Sequence, residues 1–391
     1  MIKYKLIIFL IAVFSALPPF AIDTYAPAIP SIAHYFNVAN SATMLTYTTY
    51  FIGYSIGIIL WGALSDIYGR KKILIIGVVL YVISTSICSV SQLFWQLASA
   101  RMFQGFGDAA CTTVSFAILR DCYNGKKLTK AMASVGMVMM FAPIIAPLIG
   151  AYIISVLGEW QWIFHFLTAY GVFLFFCSFF VPETNYNRFK FQDIYTNYKL
   201  HFANKRFMIL SLATSLSFAA LFSFIGSSAI IYMSIYHVSK FDYALLFGLN
   251  ATAILVANFT LKRMLDKFDL FKIQIFSITL AVSVLLVTVI MISIFESKLI
   301  LFIILMWFVT FFLAISSNSM MSEAMLSIKN AFGIATSIST FIKFALAGLA
   351  NFAMTLFAYN HLNQIMLIQQ FISVLIIASL YAYSRKLSQN A

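Results

Sequence analysis

Apolar runs separated by short polar intervals repeat along the whole chain. A membrane-crossing helix needs about 20 predominantly apolar residues. Runs of that kind fall near 5–26, 43–64, 72–90, 93–118, 131–156, 160–181, 207–232, 244–261, 272–294, 299–321, 332–357 and 362–383. The pattern predicts an all-α integral membrane protein with 12 transmembrane helices. The longest polar interval runs from Pro182 to Arg206. It divides the chain into a six-helix bundle over 1–181, a linker over 182–206 and a second six-helix bundle over 207–391. Within the linker, Phe189, Phe191, Tyr195 and Tyr198 interleave with Arg188, Lys190 and Lys199. That interleaving fits a segment lying flat on the membrane surface, and a solvated loop fits equally well.

Composition sharpens this picture. The chain is 62% hydrophobic and 9% charged, with 41 Phe against 12 acidic residues and a mean hydropathy of +0.94. A water-soluble globule cannot hide that much apolar surface, and a disordered chain would lack it. The formal charge of +13 invites a nucleic-acid reading, but the bases are scattered between apolar runs and form no continuous stripe for a phosphate backbone. With both termini cytoplasmic, 21 of the 25 Lys and Arg fall on the inner side, which is the positive-inside rule. Lys240 and Lys298 lie outside, and Arg101 and Lys343 lie within spans. Trp95, Trp160 and Trp162 sit beside short outer loops, where an interfacial aromatic belt belongs. Lys3 and Lys5 ahead of an apolar run have the outline of a secretory signal, but cleavage would leave eleven spans, so the run is read as the first span. The four cysteines (Cys88, Cys111, Cys122, Cys177) show no paired or metal-binding spacing. All seven prolines and 12 of the 16 glycines lie at or before Pro182, which concentrates kinks and close helix crossings in the first half.

Candidate chemistry lies in the rare intramembrane ions, each costing about 2.5–3.5 kcal/mol at the bilayer centre. They are Asp23, Arg101, Asp108 and Lys343. Arg101, Gln104 and Asp108 follow i, i+3, i+7, so they share one face of span four and must look inward. A helical rise of 1.5 Å per residue separates Arg101 from Asp108 by about 10 Å, so the two mark different depths, with Asp108 nearer the cytoplasmic half and Asp23 nearer the outer face. Tyr47, Tyr50 and Tyr54 repeat the spacing on span two, either lining a pocket for an aromatic or cationic molecule or packing the bundle. Ser215, Ser217, Ser223, Ser227 and Ser228 leave span seven similarly open. Lys343 stands about 16 Å into span eleven by helical rise, facing either an acid or an anionic part of a substrate. Two acids and two bases balance, which suits a mutually compensated polar cavity or a set of ion pairs that only ties helices together. The five histidines (His34, His165, His201, His237, His361) are scattered and form no triad or metal spacing, which argues against an enzyme. No ring-forming filter loop points to a channel.

The loop between spans two and three reads Gly62-Ala-Leu64-Ser-Asp66-Ile-Tyr-Gly69-Arg70-Lys71-Lys72. Gly69 suits a tight turn, Asp66 offers a carboxylate to a helix N-terminus, and Arg70 can pair with a carboxylate, Asp121 being the obvious partner. This stretch resembles the G-x-L-x-D-x-x-G-R-K signature of the major facilitator superfamily. The resemblance implies two bundles of inverted three-helix repeats, a substrate site near the midplane between them, and a cytoplasmic cluster that latches the halves in one of two alternating states. Asp23-Thr-Tyr25-Ala-Pro27-Ala-Ile-Pro30, Arg101-Met-Phe-Gln104-Gly105, Ala142-Pro143-Ile-Ile-Ala146-Pro147-Leu-Ile-Gly150, Trp160-Gln-Trp162-Ile163-Phe164 and Pro182-Glu183-Thr184 resemble stretches of the bicyclomycin-resistance (Bcr/CflA) drug/proton antiporters. In that group Gly136, Pro143, Pro147 and Gly150 would form the antiporter motif of span five. Asp108 and Lys343 depart from the group, and the second-half echo of the loop, Leu261 to Asp269, keeps Asp266 but lacks the glycine. The resemblance implies a proton-coupled exporter of small drug-like compounds, with a carrier of an anionic metabolite as the alternative. It would be a multi-pass monomer of the bacterial inner membrane whose partners are a small-molecule substrate and membrane lipid, with no nucleic acid and no cofactor beyond protons as the coupling ion.

Overall fold

A computed structural model describes residues 2–186, 191–294, 298–328, 332–357 and 362–389. Arg188, Phe189, Lys190, Lys329 and His361 lie outside the described residues. The described residues are helical, with no strands. In chain order the helices are α1 (Ile2–Ser15), α2 (Leu17–Asp23), α3 (Ile29–Tyr35), α4 (Leu45–Tyr68), α5 (Arg70–Ser89), α6 (Phe94–Cys122), α7 (Gly125–Leu157) and α8 (Gln161–Ser178). They continue as α9 (Phe191–Ala203), α10 (Lys205–Ala229), α11 (Lys240–Leu265), α12 (Leu270–Ile294), α13 (Leu299–Leu326), α14 (Phe332–Thr355) and α15 (Leu362–Gln389). Among the described residues 11 segments are long and apolar enough to cross a membrane. The helix α6, where the fourth of the 12 expected spans falls, is not one of them. Its 29 residues are long enough, but Arg101, Gln104, Asp108, Thr112 and Thr113 lower its hydropathy.

Two departures from the sequence-based boundaries have identifiable causes. The first span runs from Lys5 to Tyr35 rather than stopping near 26. Pro18 and Pro19 open α2, Pro27 sits in a tight helical turn over Ala26–Ala28, and Pro30 opens α3. Proline is tolerated in a first helical turn, where its missing N–H has no partner to lose, so the chain re-starts a helix at each proline and keeps its direction. The interval expected as a surface segment or loop holds a helix, α9, with Tyr195, Leu200 and Phe202 exposed.

The chain forms two compact units: residues 1–38 with 45–197, and residues 39–44 with 198–391. In the first unit α6 is the central helix, packed against α4 and α5, while α7 packs on α1 and α2. In the second, α10 packs against α13, α14 and α15, and α12 against α13 and α15. Outer faces stay apolar. On α5, Ile76, Val79, Ile83 and Ile87 form an exposed stripe, a surface that suits lipid and not water.

Glycine makes the α4/α6 crossing possible. A side chain at Gly53 would collide with the Met102 carbonyl, and one at Gly105 with the Tyr50 carbonyl, so the two backbones touch directly. The Trp61 indole donates to the Phe106 carbonyl at 2.7 Å and fastens the same crossing one turn further along. Overpacking of this kind costs about 1–3 kcal/mol. Gly105→Val is therefore expected to lower the melting temperature of the purified protein sharply, whereas Gly136→Ala, where an added methyl group meets nothing within 4 Å, is expected to raise it slightly, because alanine is favoured over glycine inside a helix.

Candidate functional site

The first unit buries a cation in its core. Arg101 is fully buried, on the inward face of α6 one turn from Gln104. Its Nη1 donates to the Gln104 Oε1 at 2.6 Å and to the Ala21 carbonyl at 3.1 Å. Its guanidinium carbon lies 4.8 Å from the ring centre of Tyr25 and 4.5 Å from that of Tyr50. Gln104 in turn donates to the Thr85 hydroxyl at 2.9 Å. The Tyr25 hydroxyl meets the Thr46 hydroxyl at 3.0 Å. A guanidinium that has lost water recovers part of its solvation from ring faces and oriented acceptors, although Nε and Nη2 keep no hydrogen-bond partner.

Asp108 stands two helical turns further along the same face, also fully buried. The Tyr50 hydroxyl donates to its Oδ2 in a short hydrogen bond, and its Oδ1 has no partner. Among the described residues of this unit neither Asp23 nor Asp108 lies within ion-pair distance of Arg101, whereas Arg70 pairs with two carboxylates. Tyr50 links the two ends: its ring faces the Arg101 cation while its hydroxyl holds the Asp108 carboxylate. Because α6 runs on to Cys122, Asp108 stands midway between its ends. Asp23 ends α2 with little exposure, and a side chain at Gly150 of α7 would strike the carbonyl of the neighbouring Thr24.

At the basic end of the first unit a second cluster ties α4, α5, α6 and the chain after α8. Gly69 separates α4 from α5 with φ of 103°, a conformation that favours glycine. Arg70, buried, pairs with Asp66 at 2.5 Å and with Asp121 at 3.0 Å, and donates to the Ser65 hydroxyl at 2.7 Å. The carboxylate at the N-terminus of α5 belongs to Glu183, not to Asp66. Glu183 accepts from the backbone N–H groups of Arg70 (2.9 Å), Lys71 (3.2 Å), Thr184 (2.9 Å) and Asn185 (2.9 Å). Asp66 lies in the last turn of α4, one turn before Arg70, and is occupied by that side chain. The Lys71 ammonium donates to the Phe179 carbonyl at 2.7 Å, the Thr184 hydroxyl to Asp121 at 2.8 Å, and the Asn185 amide to the Asp66 carbonyl at 2.8 Å.

In the second unit Lys343 stands midway along α14 and is partly buried. Its ammonium lies 5.3 Å from the ring centre of Phe218, which packs with Phe222 and Phe344. Among the described residues of that unit Glu323 pairs with Arg206 and not with Lys343.

Residues 8–382 match the family model of the Major Facilitator Superfamily. The chain belongs to that superfamily. It is therefore a membrane transporter and not an enzyme. Among its relatives are a bicyclomycin resistance protein homolog of Haemophilus influenzae, 31% identical over 262 residues, and the multidrug resistance protein MdtL of Salmonella paratyphi C, 28% identical over 245 residues. The matched stretch spans 66% of this chain and 66% of the first relative, and 62% of each chain for the second. The fold is that of solved superfamily members: a D-xylose-proton symporter (TM-score 0.74, 15% identity, 95% of this chain and 97% of the other) and a bacterial homolog of the lysosomal transporter Spinster (TM-score 0.75, 14% identity, 98% and 97%).

Seen as parts of a superfamily transporter, the candidate residues fall into separate groups. Arg101, Gln104, Asp108 and Tyr50 form one connected set. Tyr47 and Tyr54 flank Tyr50 and are buried, Tyr47 donating to the Ile22 carbonyl at 3.4 Å and Tyr54 stacking on Tyr50. Gly62, Asp66, Gly69, Arg70, Lys71 and Asp121 belong to the basic-end cluster, Gly62 through its carbonyl, which accepts from the Ser65 hydroxyl at 2.9 Å. Every partner described above for Arg70 lies in the first unit. Pro143 and Pro147 lie inside a continuous α7, Gly150 closes on Thr24, and a side chain added at Gly136 would enter open space. The mutual compensation expected of the buried charges is not made by ion pairs within the first unit; ring faces and neutral acceptors stand in. Sequence reasoning left Tyr25, Thr85 and Glu183 out of the site. Their signals lay inside the quoted stretches: Tyr25 two residues after Asp23, and Glu183 between Pro182 and Thr184.

Partial burial pushes the Glu183 carboxyl up, but the four backbone N–H donors outweigh it and hold the group below its ordinary value of about 4.5. A lowered native pKa contributes stability that is present above the unfolded value and lost as pH falls through the native one. Wild-type protein is expected to lose melting temperature as pH drops below about 4.5. Glu183→Gln should start lower at neutral pH, because an amide offers one acceptor where two are used, and should fall less across that acid window. Thermal unfolding across pH values checks both.

Proposed function

We propose that this superfamily member is a proton-coupled exporter of small, partly apolar drug-like compounds, of the bicyclomycin-resistance type. The carrying observation is the Tyr50–Asp108 pair beside Arg101. A fully buried carboxylate held by one hydroxyl, with its other oxygen unpartnered, has an acceptor position open to a proton. A buried guanidinium lying on the ring of the same tyrosine has two donors without partners. Burial disfavours a charged carboxylate and a nearby cation favours it, so a change in the spacing of Arg101, Tyr50 and Asp108 alters whether a proton is held. In the cycle we propose, Asp108 takes up a proton when open to the outside and releases it inward as substrate binds, with Asp23 serving the same exchange nearer the outer face. The two resistance proteins among the relatives support the substrate class. The topology we propose has 12 spans, α6 being the polar one, in bundles over 1–181 and 207–391 joined by 182–206. Both termini are cytoplasmic in a bacterial inner membrane, the protein works as a monomer, and the basic-end cluster acts as a cytoplasmic latch during the cycle.

A second reading rests on Lys343. Its ammonium faces a phenylalanine ring without an ion-pair partner in its own unit, which suits contact with an anionic substrate group. A proton-coupled carrier of an anionic metabolite would then lose uptake of labelled organic acid in Lys343→Gln, while an exporter of neutral or cationic drugs would keep dye efflux in that variant.

Asp23→Asn and Asp108→Asn, made singly and together, are expected to abolish efflux driven by a pH gradient in everted vesicles while leaving the amount of protein in the membrane unchanged. Efflux that survives the double change, and that an uncoupler still abolishes, would remove these carboxylates from the coupling step.

A further inference from the structure

Four helices of the second unit converge on a cavity of about 440 Å³ at its basic end, lined by Arg206 of α10, Phe271 of α12, Glu323 of α13 and Arg385 of α15, together with Asp269. Arg206 Nη2 pairs with Glu323 Oε1 at 2.8 Å. Glu323 is only 7% exposed, yet its Oε2 has no hydrogen-bond partner, and neither has Arg206 Nε. A carboxylate oxygen withdrawn from water without a donor is costly, so the cavity is built around an unmet acceptor. The Arg385 guanidinium stacks 4.5 Å from the ring centre of Phe271.

Phe271 is also the first wall of a second concavity. This groove of about 390 Å³ runs along α12 past Lys272, Ile275, Phe276, Thr279 and Leu280. Its residues lie on the outer face of α12, where Phe271, Ile275 and Phe276 are 39–50% exposed, while Ile273, Gln274, Ser277 and Ile278 of the opposite face are buried. On a membrane-crossing helix that outer face meets acyl chains. A mixed-charge cavity and an apolar membrane-facing groove thus share one aromatic residue.

We infer that the second unit carries a phospholipid site. The headgroup lies in the Arg206/Glu323/Arg385 cavity and one acyl chain in the α12 groove, with Phe271 between them. Charge complementarity selects the headgroup. Arg385, and Lys272 at the groove, suit the phosphate. Glu323 Oε2 needs a hydrogen-bond donor beyond it, which an ethanolamine ammonium or a glycerol hydroxyl supplies and a choline group does not. The inference rests on the membrane-spanning reading of α12 and is independent of what the transporter exports.

Native mass spectrometry of the purified full-length protein tests it, with dioleoyl phosphatidylethanolamine, phosphatidylglycerol and phosphatidylcholine titrated separately and with deacylated glycerophosphoethanolamine as competitor. A charged hydrogen bond is worth about 1.5–3 kcal/mol, or roughly tenfold or more in affinity. The ethanolamine and glycerol lipids should therefore be retained about tenfold better than the choline lipid. Glu323→Leu, which removes the unmet acceptor, should erase that preference, whereas Arg385→Ala, which removes a phosphate contact, and Ile275→Trp, which fills the exposed groove, should weaken binding of all three lipids. Equal retention of the choline lipid, wild-type retention by Ile275→Trp, or displacement of lipid by the deacylated compound at equal concentration overturns the inference. Ile275→Trp keeps the test decisive if Glu323→Leu or Arg385→Ala does not fold. Transport does not enter the readout, so failure here and failure of the proposed export cycle remain distinguishable.

Discussion

A guanidinium without water, held between two tyrosine rings, is the constraint to which the first unit is built. Arg101 is fully buried on α6 and cannot reach solvent, so everything around it substitutes for hydration: the Ala21 carbonyl, the Gln104 amide oxygen and the faces of Tyr25 and Tyr50. Each substitute must arrive at a fixed distance. That requirement explains why α6 is central and why its neighbours approach so closely. The glycine contacts between α4 and α6 bring Tyr50 near enough for its ring to cover the cation and its hydroxyl to hold Asp108. The proline-segmented first span brings the Ala21 carbonyl and the Tyr25 ring to the same point. Small residues, prolines and a buried charge are therefore one arrangement rather than three separate features.

The two units handle polarity differently. In the first, polar side chains buried on α6 are joined to α4 through Tyr50 and to α5 through Gln104. In the second, seryl hydroxyls of α10 mostly bond back to their own helix, as with Ser215 to Ser211 at 2.6 Å and Ser227 to Ser223 at 2.6 Å, while amides cross between helices, Asn351 donating to the Phe222 carbonyl at 3.2 Å and Gln370 to the Ala220 carbonyl at 2.9 Å. Such back-bonding satisfies a hydroxyl without a neighbour, so it does little to join helices. Among the charged groups of the second unit, Lys343 lies at mid-helix and Arg206, Glu323 and Arg385 at the basic end. Glu323 pairs with Arg206 and leaves Lys343 to the ring of Phe218.

Periodicity and spacing made much of this legible in the sequence. Apolar run lengths gave helices whose ends agree with the folded ones to within a few residues over most of the chain. The i, i+3 relation of Arg101 and Gln104 placed them on one face, and they bond directly. What sequence could not supply was partnership between distant segments. Tyr25 looked like one aromatic among many, because nothing local says that its ring will meet a cation on another helix. Asp66 was the nearest acid to the start of α5 and so the natural choice to cap it, but an acid in the preceding turn is already claimed by Arg70, and the cap comes from Glu183. The failure of α6 to count as an apolar span has the same origin: residues that make it polar are those the surrounding helices shield.

The capping of α5 also bears on the order in which the chain is made. The acceptor for the first N–H groups of α5 comes from a residue 113 positions later, after α6, α7 and α8 have been synthesised. Until then the basic end of α5 has its N-terminal donors and Arg70 without that carboxylate. In this interval those donors are left to water and lipid headgroups. The contacts that fasten the start of α5 are therefore complete only once Glu183 has been made, which places the short stretch after α8 late in the assembly of that end.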